Sequence, residues 1–143
     1  MVTFTQTADF PANFGGGFPH PAATADFDGD GRVEFVPTLF SFPGGEFFQL
    51  QVLEVQDDGT FLNIAPELFG SEDNVPVMEF GRNLVIKDFN NDGFDDLIIA
   101  DHGFDADRFP GQSNIVALSD GMGGLVRSGF DFETEPQFTH SVA

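Results

Sequence analysis

Two acidic segments of one design sit 62 positions apart in this chain, and any fold has to account for both. The first reads Asp26-Phe27-Asp28-Gly29-Asp30-Gly31-Arg32-Val33-Glu34-Phe35. The second reads Asp88-Phe89-Asn90-Asn91-Asp92-Gly93-Phe94-Asp95-Asp96-Leu97. Their flanks repeat as well. An apolar run follows each, residues 35–40 in one copy and 97–100 in the other. A loop containing Gly and Pro comes next, then a second run at 47–53 or 115–118. A turn, 57–60 or 120–124, leads to a last run that starts at Phe61 or Leu125. Self-similarity at such a period marks a repeat architecture, whose units bury their apolar faces against neighbours.

The punctuation argues for strands. Gly (17) and Pro (9) interrupt the chain every few residues, which leaves little room for a helix. Gln49-Leu50-Gln51-Val52 alternates with period two, as a half-buried strand does. The expected class is all-β, with four short antiparallel strands per unit and one helical turn within 65–72. Residues 1–143 read as a single repeat domain. Within it, 1–25 is expected to be the end of a preceding unit and a lead-in. Residues 26–87 form repeat one, and 88–143 form repeat two with the lead-in to a next. On that phase a further acidic loop falls due near about position 150. The chain is therefore expected to need neighbouring units, from its own polypeptide or from other copies.

Each acidic loop places side-chain oxygens at its positions 1, 3, 5 and 9, with Gly at position 6. Alternate residues of a tight loop point inward together, and the Gly admits a turn that a Cβ would block. Calcium takes about six to eight oxygens, so this donor set suits it. The main-chain carbonyls of Arg32 and Phe94 would add one oxygen per loop. An EF-hand needs a Glu at position 12 and flanking helices. That position is Pro37 or Ile99, inside strand-like runs, so the EF-hand is excluded. Magnesium prefers fewer protein ligands, and zinc would want His or Cys, which the loops lack. A single Asp-Gly stretch would read as an ordinary turn. Two copies in matching strand context favour calcium in both.

At these residues the chain resembles the FG-GAP/VCBS repeat family. Asp-Phe-Asp-Gly-Asp-Gly-x-x-Glu and Asp-Phe-Asn-Asn-Asp-Gly-x-x-Asp are similar to that family's loop, with Glu34 standing where Asp is usual. The apolar strand that follows and the Asp-Gly turn before the last strand match too, so the likeness covers roughly residues 20–143. The resemblance implies a β-propeller of four-stranded blades, with calcium between the first two strands of a blade. Its ligands would be Asp26, Asp28, Asp30 and Glu34 in one site. In the other they would be Asp88, Asn90, Asp92 and Asp96. The family is found in cell-surface and adhesive proteins, so an extracellular or cell-surface setting and a glycan or protein ligand are implied. A structural subunit of a ring, filament or surface layer is the alternative.

Charge narrows the partners. Five Lys and Arg face 24 Asp and Glu, for a net charge of −19. Nucleic acids and anionic membranes require a cationic face and are excluded as partners. No apolar run approaches the roughly 20 residues of a spanning helix, so membrane insertion is not expected. The first six residues lack the basic and apolar regions of a signal peptide, so none is expected within this numbering. The absence of Cys removes disulfides, thiolate metal sites and a Cys nucleophile.

One segment departs from the repeat. Residues 101–111 hold the only close His/Asp grouping, with His102, Asp105 and Asp107 as polar groups and Phe104 and Phe109 as stacking faces. It is the candidate ligand-binding loop, the plain reading being a structured connection with a Pro-Gly turn. His20 and His140 lie near strand ends without a Ser partner, and the carboxylate pairs are accounted for by cation binding. No catalytic constellation is found, and an enzyme is not expected.

Overall fold

The computed structural model describes residues 18–40, 45–129, 136 and 138–141. The stretch 1–17, expected to contain the end of a preceding unit, lies outside the described residues. Among the described residues, ten strands form three antiparallel sheets. The first sheet takes β1 (Phe18–Ala25), β2 (Glu34–Phe40), β4 (Leu53–Val55) and β5 (Phe61–Asn63), in that order. The second takes β7 (Gly81–Lys87), β8 (Asp96–Asp101), β9 (Ile115–Ser119) and β10 (Leu125–Arg127), with β7 and β10 at its edges. Strands β3 (Phe48–Gln49) and β6 (Val77–Met78) make a small ribbon. A helical turn, α1 (Ala65–Leu68), and a 3-10 turn at Glu72–Asn74 link the two larger sheets.

The all-β expectation holds, with antiparallel pairing throughout. Among the described residues no closed barrel or propeller is formed. Both acidic segments join the first strand of a sheet to the second. Ala25 pairs with Glu34 in one sheet, and Lys87 pairs with Asp96 in the other. The sheets span 18–63 and 81–127, a phase set by pairing and not by the distance from loop to loop.

The run at 47–53 does not remain one strand. Leu50 donates its N–H to the Pro76 carbonyl at 2.8 Å, which draws β3 onto β6. Val52 donates instead to the Asn63 side chain at 3.1 Å, and only β4 continues the first sheet. Backbone pairing with the linker thus divides an alternating segment that is apolar enough to run on.

The two large sheets share one core. Val36, Leu39, Leu50 and Val52 meet Leu97, Ile99, Ile115, Ala117 and Leu125, all buried. β1 lies against β7, and Phe40 bridges to Phe80 with their rings stacked at 4.4 Å. Gly81 is needed at this contact, because a Cβ there would stand 2.6 Å from the Thr38 Cβ. Burial of this apolar surface is the main drive for packing. Truncating fully buried Leu97 to Ala is expected to lower unfolding free energy by about 2–5 kcal/mol. Met122, 85% exposed, should tolerate Ala within about 0.5 kcal/mol. Urea denaturation of the two variants measures the contrast.

Candidate metal centre

The two acidic loops share a backbone as well as a pattern. Gly29 and Gly31 adopt φ of 74° and 87°, and their counterparts Asn91 and Gly93 adopt 61° and 95°. Asn tolerates this left-handed region better than most side chains, which explains how it replaces a Gly. The hydrogen bonds correspond in turn. Gly31 N–H donates to Asp26 at 3.1 Å, and Gly93 N–H to Asp88 at 3.0 Å. Asp30 N–H donates to Asp28 at 3.0 Å, and Asp92 N–H to Asn90 at 2.9 Å. Arg32 N–H donates to Asp30 at 2.7 Å, and Phe94 N–H to Asp92 at 2.9 Å. Each side chain at positions 1, 3 and 5 therefore uses an oxygen to fold its loop, and Asp88 uses both, since Asp92 N–H also donates to it at 3.2 Å.

In the first loop three carboxylates come together. Glu34, at the start of β2, is fully buried. One of its carboxylate oxygens accepts from Phe27 N–H at 2.8 Å. The other, Oε1, has no hydrogen-bond partner among the described residues, and neither has the buried Oδ1 of Asp26. Asp26, Asp28 and Glu34 each bring a carboxylate oxygen within 4.8 Å of the others. Burial pushes the Glu34 carboxyl up to about 7 despite the Phe27 N–H bond, and the charges of Asp28, Asp26 and Asp30 push in the same direction. Buried polar atoms without partners are rare and destabilising, and converged carboxylates repel. Oxygen donors of this kind at this separation fit a hard cation.

Asp30 does not complete that group. Its carboxylate gathers instead with those of Asp28 and Glu54, the latter on β4 opposite Glu34. The Arg32 side chain reaches into this second group, 3.8 Å from Asp30 and 3.5 Å from Glu54, and extends to Asp57 at 3.5 Å. A tethered guanidinium offsets part of that charge. Glu54 and this use of the Arg32 side chain were not found from the repeat. Their only signal was a charged residue directly after the second run.

The second loop is internally satisfied. Asp96 is fully buried like Glu34, but its Oδ2 accepts from Phe89 N–H at 2.6 Å and its Oδ1 from Ser119 N–H at 2.7 Å. The Asn90 amide nitrogen lies 2.9 Å from Asp92 Oδ2, 3.4 Å from Asp96 Oδ1 and 3.2 Å from the Ser119 carbonyl. The N–H of Phe94 helps hold Asp92 below the usual carboxylate range. Asn90 thus donates to acceptors that an Asp at this position would repel. A cation in this loop would require the Asn90 amide to turn.

Residues 101–111 form a connection that packs as part of the fold. Asp101 is buried and accepts from the N–H groups of Glu79, Phe80 and Gly103 at 2.7, 2.8 and 2.9 Å. Burial nonetheless raises its carboxyl above the usual range. His102 is buried between Phe80 and Phe138, with ring centroids at 4.2 and 4.7 Å, and burial lowers its basicity. Phe109 meets Phe138 edge-on at 5.0 Å, while Phe104 and Asp105 are half-buried and Asp107 is exposed. Among the described residues, His102, Asp105 and Asp107 do not converge into a metal-binding group.

Comparison of the chain with protein-family models, curated proteins and solved structures gave no match.

The raised carboxyl of Glu34 has a sign that can be tested. Its stabilising effect is complete below the ordinary value of 4.5 and is lost as pH rises through about 7. In a chelating buffer the melting temperature is therefore expected to fall from about pH 4.5 to about pH 7 and to level off by pH 8. Glu34→Gln should melt above the unsubstituted chain at pH 8 and show a shallower fall. Thermal scans of both proteins across that range test this, and parallel curves would contradict it.

Proposed function

We propose that this chain is a calcium-stabilised repeat module of the FG-GAP/VCBS kind, built for recognition of glycans or proteins at a cell surface and not for catalysis. The observation that carries the calcium reading is the Glu34 carboxylate, buried with one oxygen unpartnered beside Asp26 and Asp28. Asp26, Asp28 and Glu34 would hold the ion, with Asp30 and the Arg32 carbonyl as further donors. Asp88, Asn90, Asp92, Asp96 and the Phe94 carbonyl make the matching set in the second loop. The ion would neutralise converged carboxylates and tie β1 to β2, which is folding free energy and not chemistry. An extracellular setting suits such sites, because calcium there is abundant enough to fill weak ones.

The blade reading draws support from topology. Each large sheet is a four-stranded meander in chain order, and the first strands of the two sheets lie side by side. Stacked blades of a propeller have this arrangement. A subunit of a larger multi-copy assembly is favoured by one feature, the apolar residues on outer strands. Leu62 of β5 is 51% exposed and Val126 of β10 is 57% exposed.

Calcium should raise the melting temperature and a chelator lower it. At 100 times the dissociation constant the gain is about 2.7 kcal/mol. Asp26→Asn and Glu34→Gln should reduce or remove the response, and a melting curve indifferent to calcium would end the metal reading. For recognition, calcium-dependent binding on glycan and protein arrays is expected. A blank across broad arrays, with self-association on sizing columns, would move the conclusion to the assembly alternative.

A further inference from the structure

The first acidic loop is not enclosed by its own sheet alone. Two elements of the second sheet press on it at the residues that carry its carboxylates. The turn between β9 and β10 brings Gly123 so near that a Cβ there would stand 2.8 Å from the Asp28 carbonyl oxygen and 3.3 Å from the Asp28 Cα. Gly123 also has φ of 88°, so both the backbone and the space require Gly. The Phe94 ring covers Gly29, where a Cβ would lie 2.8 Å from the ring edge. Gly29 sits between Asp28 and Asp30 in the chain. Asp28 is the residue shared by both carboxylate groups, the one with Asp26 and Glu34 and the one with Asp30 and Glu54.

Resting on the cation reading above, we infer that the first cation site is a composite, in which Gly123 and Phe94 of the second sheet hold Asp28 in ligating position. A cation bound there would fasten the two sheets to one another as well as β1 to β2. The physical argument is one of pre-organisation. Converged carboxylates repel, and a backbone braced from outside adds to the loop's own hydrogen bonds in keeping them together before an ion arrives. Gly123 and Phe94 are positioning residues, since neither offers a side-chain donor to the ion. The coupling runs both ways, because whatever strengthens ion binding through sheet contact must let the ion strengthen that contact by the same factor.

The test compares glycines. Gly59 has φ of 84°, close to that of Gly123, but a Cβ there would meet nothing within 4 Å. Gly59→Ala therefore carries the backbone strain without the collision. Calcium affinity of the full chain is read by competition with a chromophoric chelator, and apo stability by urea denaturation. An Asp88→Ala background strips the second loop, so that the first loop is read. Gly59→Ala should lose stability and keep its calcium affinity. Gly123→Ala should bind calcium about fivefold or more weakly. Phe94→Ala should weaken binding similarly, with Phe94→Leu recovering part of it. The Phe94 pair keeps the inference testable if Gly123→Ala does not fold. Unchanged affinity in Phe94→Ala, or equal losses in Gly59→Ala and Gly123→Ala, would overturn it while leaving the calcium site intact. Absence of calcium binding by the unsubstituted chain would overturn the site itself.

Discussion

A carboxylate buried at the start of a strand organises this molecule. Glu34 turns the chain out of the first loop by accepting the Phe27 N–H, and so fixes where β1 ends and β2 begins. Asp96 does the same for β7 and β8 through the Phe89 N–H. A charged group in such a place is expensive unless it is fully paired. The two sheets meet this demand differently. Asp96 is paired by backbone and amide donors around it, whereas Glu34 is one methylene longer and keeps an oxygen with no donor. The first loop is thus strained by charge where the second is at rest.

The sequence pattern reached the loops because their geometry is local. Gly at fixed offsets and carboxylates at alternate positions are consequences of one tight turn, and any copy of that turn must show them. The runs that became β2, β8 and β9 were legible for a similar reason, since strands buried on both faces must be apolar throughout. Strand β1 was harder, because Pro19 and Pro21 interrupt it and only its pairing with β2 shows a strand. The division of 47–53 was hidden because it depends on Pro76, which is distant in the chain.

The inequality of the two loops was also beyond the pattern. Asn and Asp both count as oxygen donors when positions are compared, but an amide brings N–H groups that can serve the carboxylates around it. Whether Asn90 presents oxygen or nitrogen is set by Asp92, Asp96 and Ser119 together, and Ser119 belongs to β9. Glu54 escaped for the same kind of reason. Its position opposite Glu34 is a matter of register between β2 and β4. The stack of Phe80, His102 and Phe138 likewise comes from three separate segments, so no single stretch announces it.

The close approach of Gly123 to Asp28 has a consequence for the order of events during synthesis. The large sheets take their strands in chain order, so each can form from nearby contacts as the chain emerges. The first loop emerges 95 residues before the turn that packs against it, counted from Asp28 to Gly123. At a translation rate of about 5–20 residues per second, roughly five to twenty seconds separate them. For that interval the nascent acidic cluster faces solvent on the side that the second sheet later covers. Its carboxylates are most readily hydrated and ionised then, and the turn between β9 and β10 later closes the space around them.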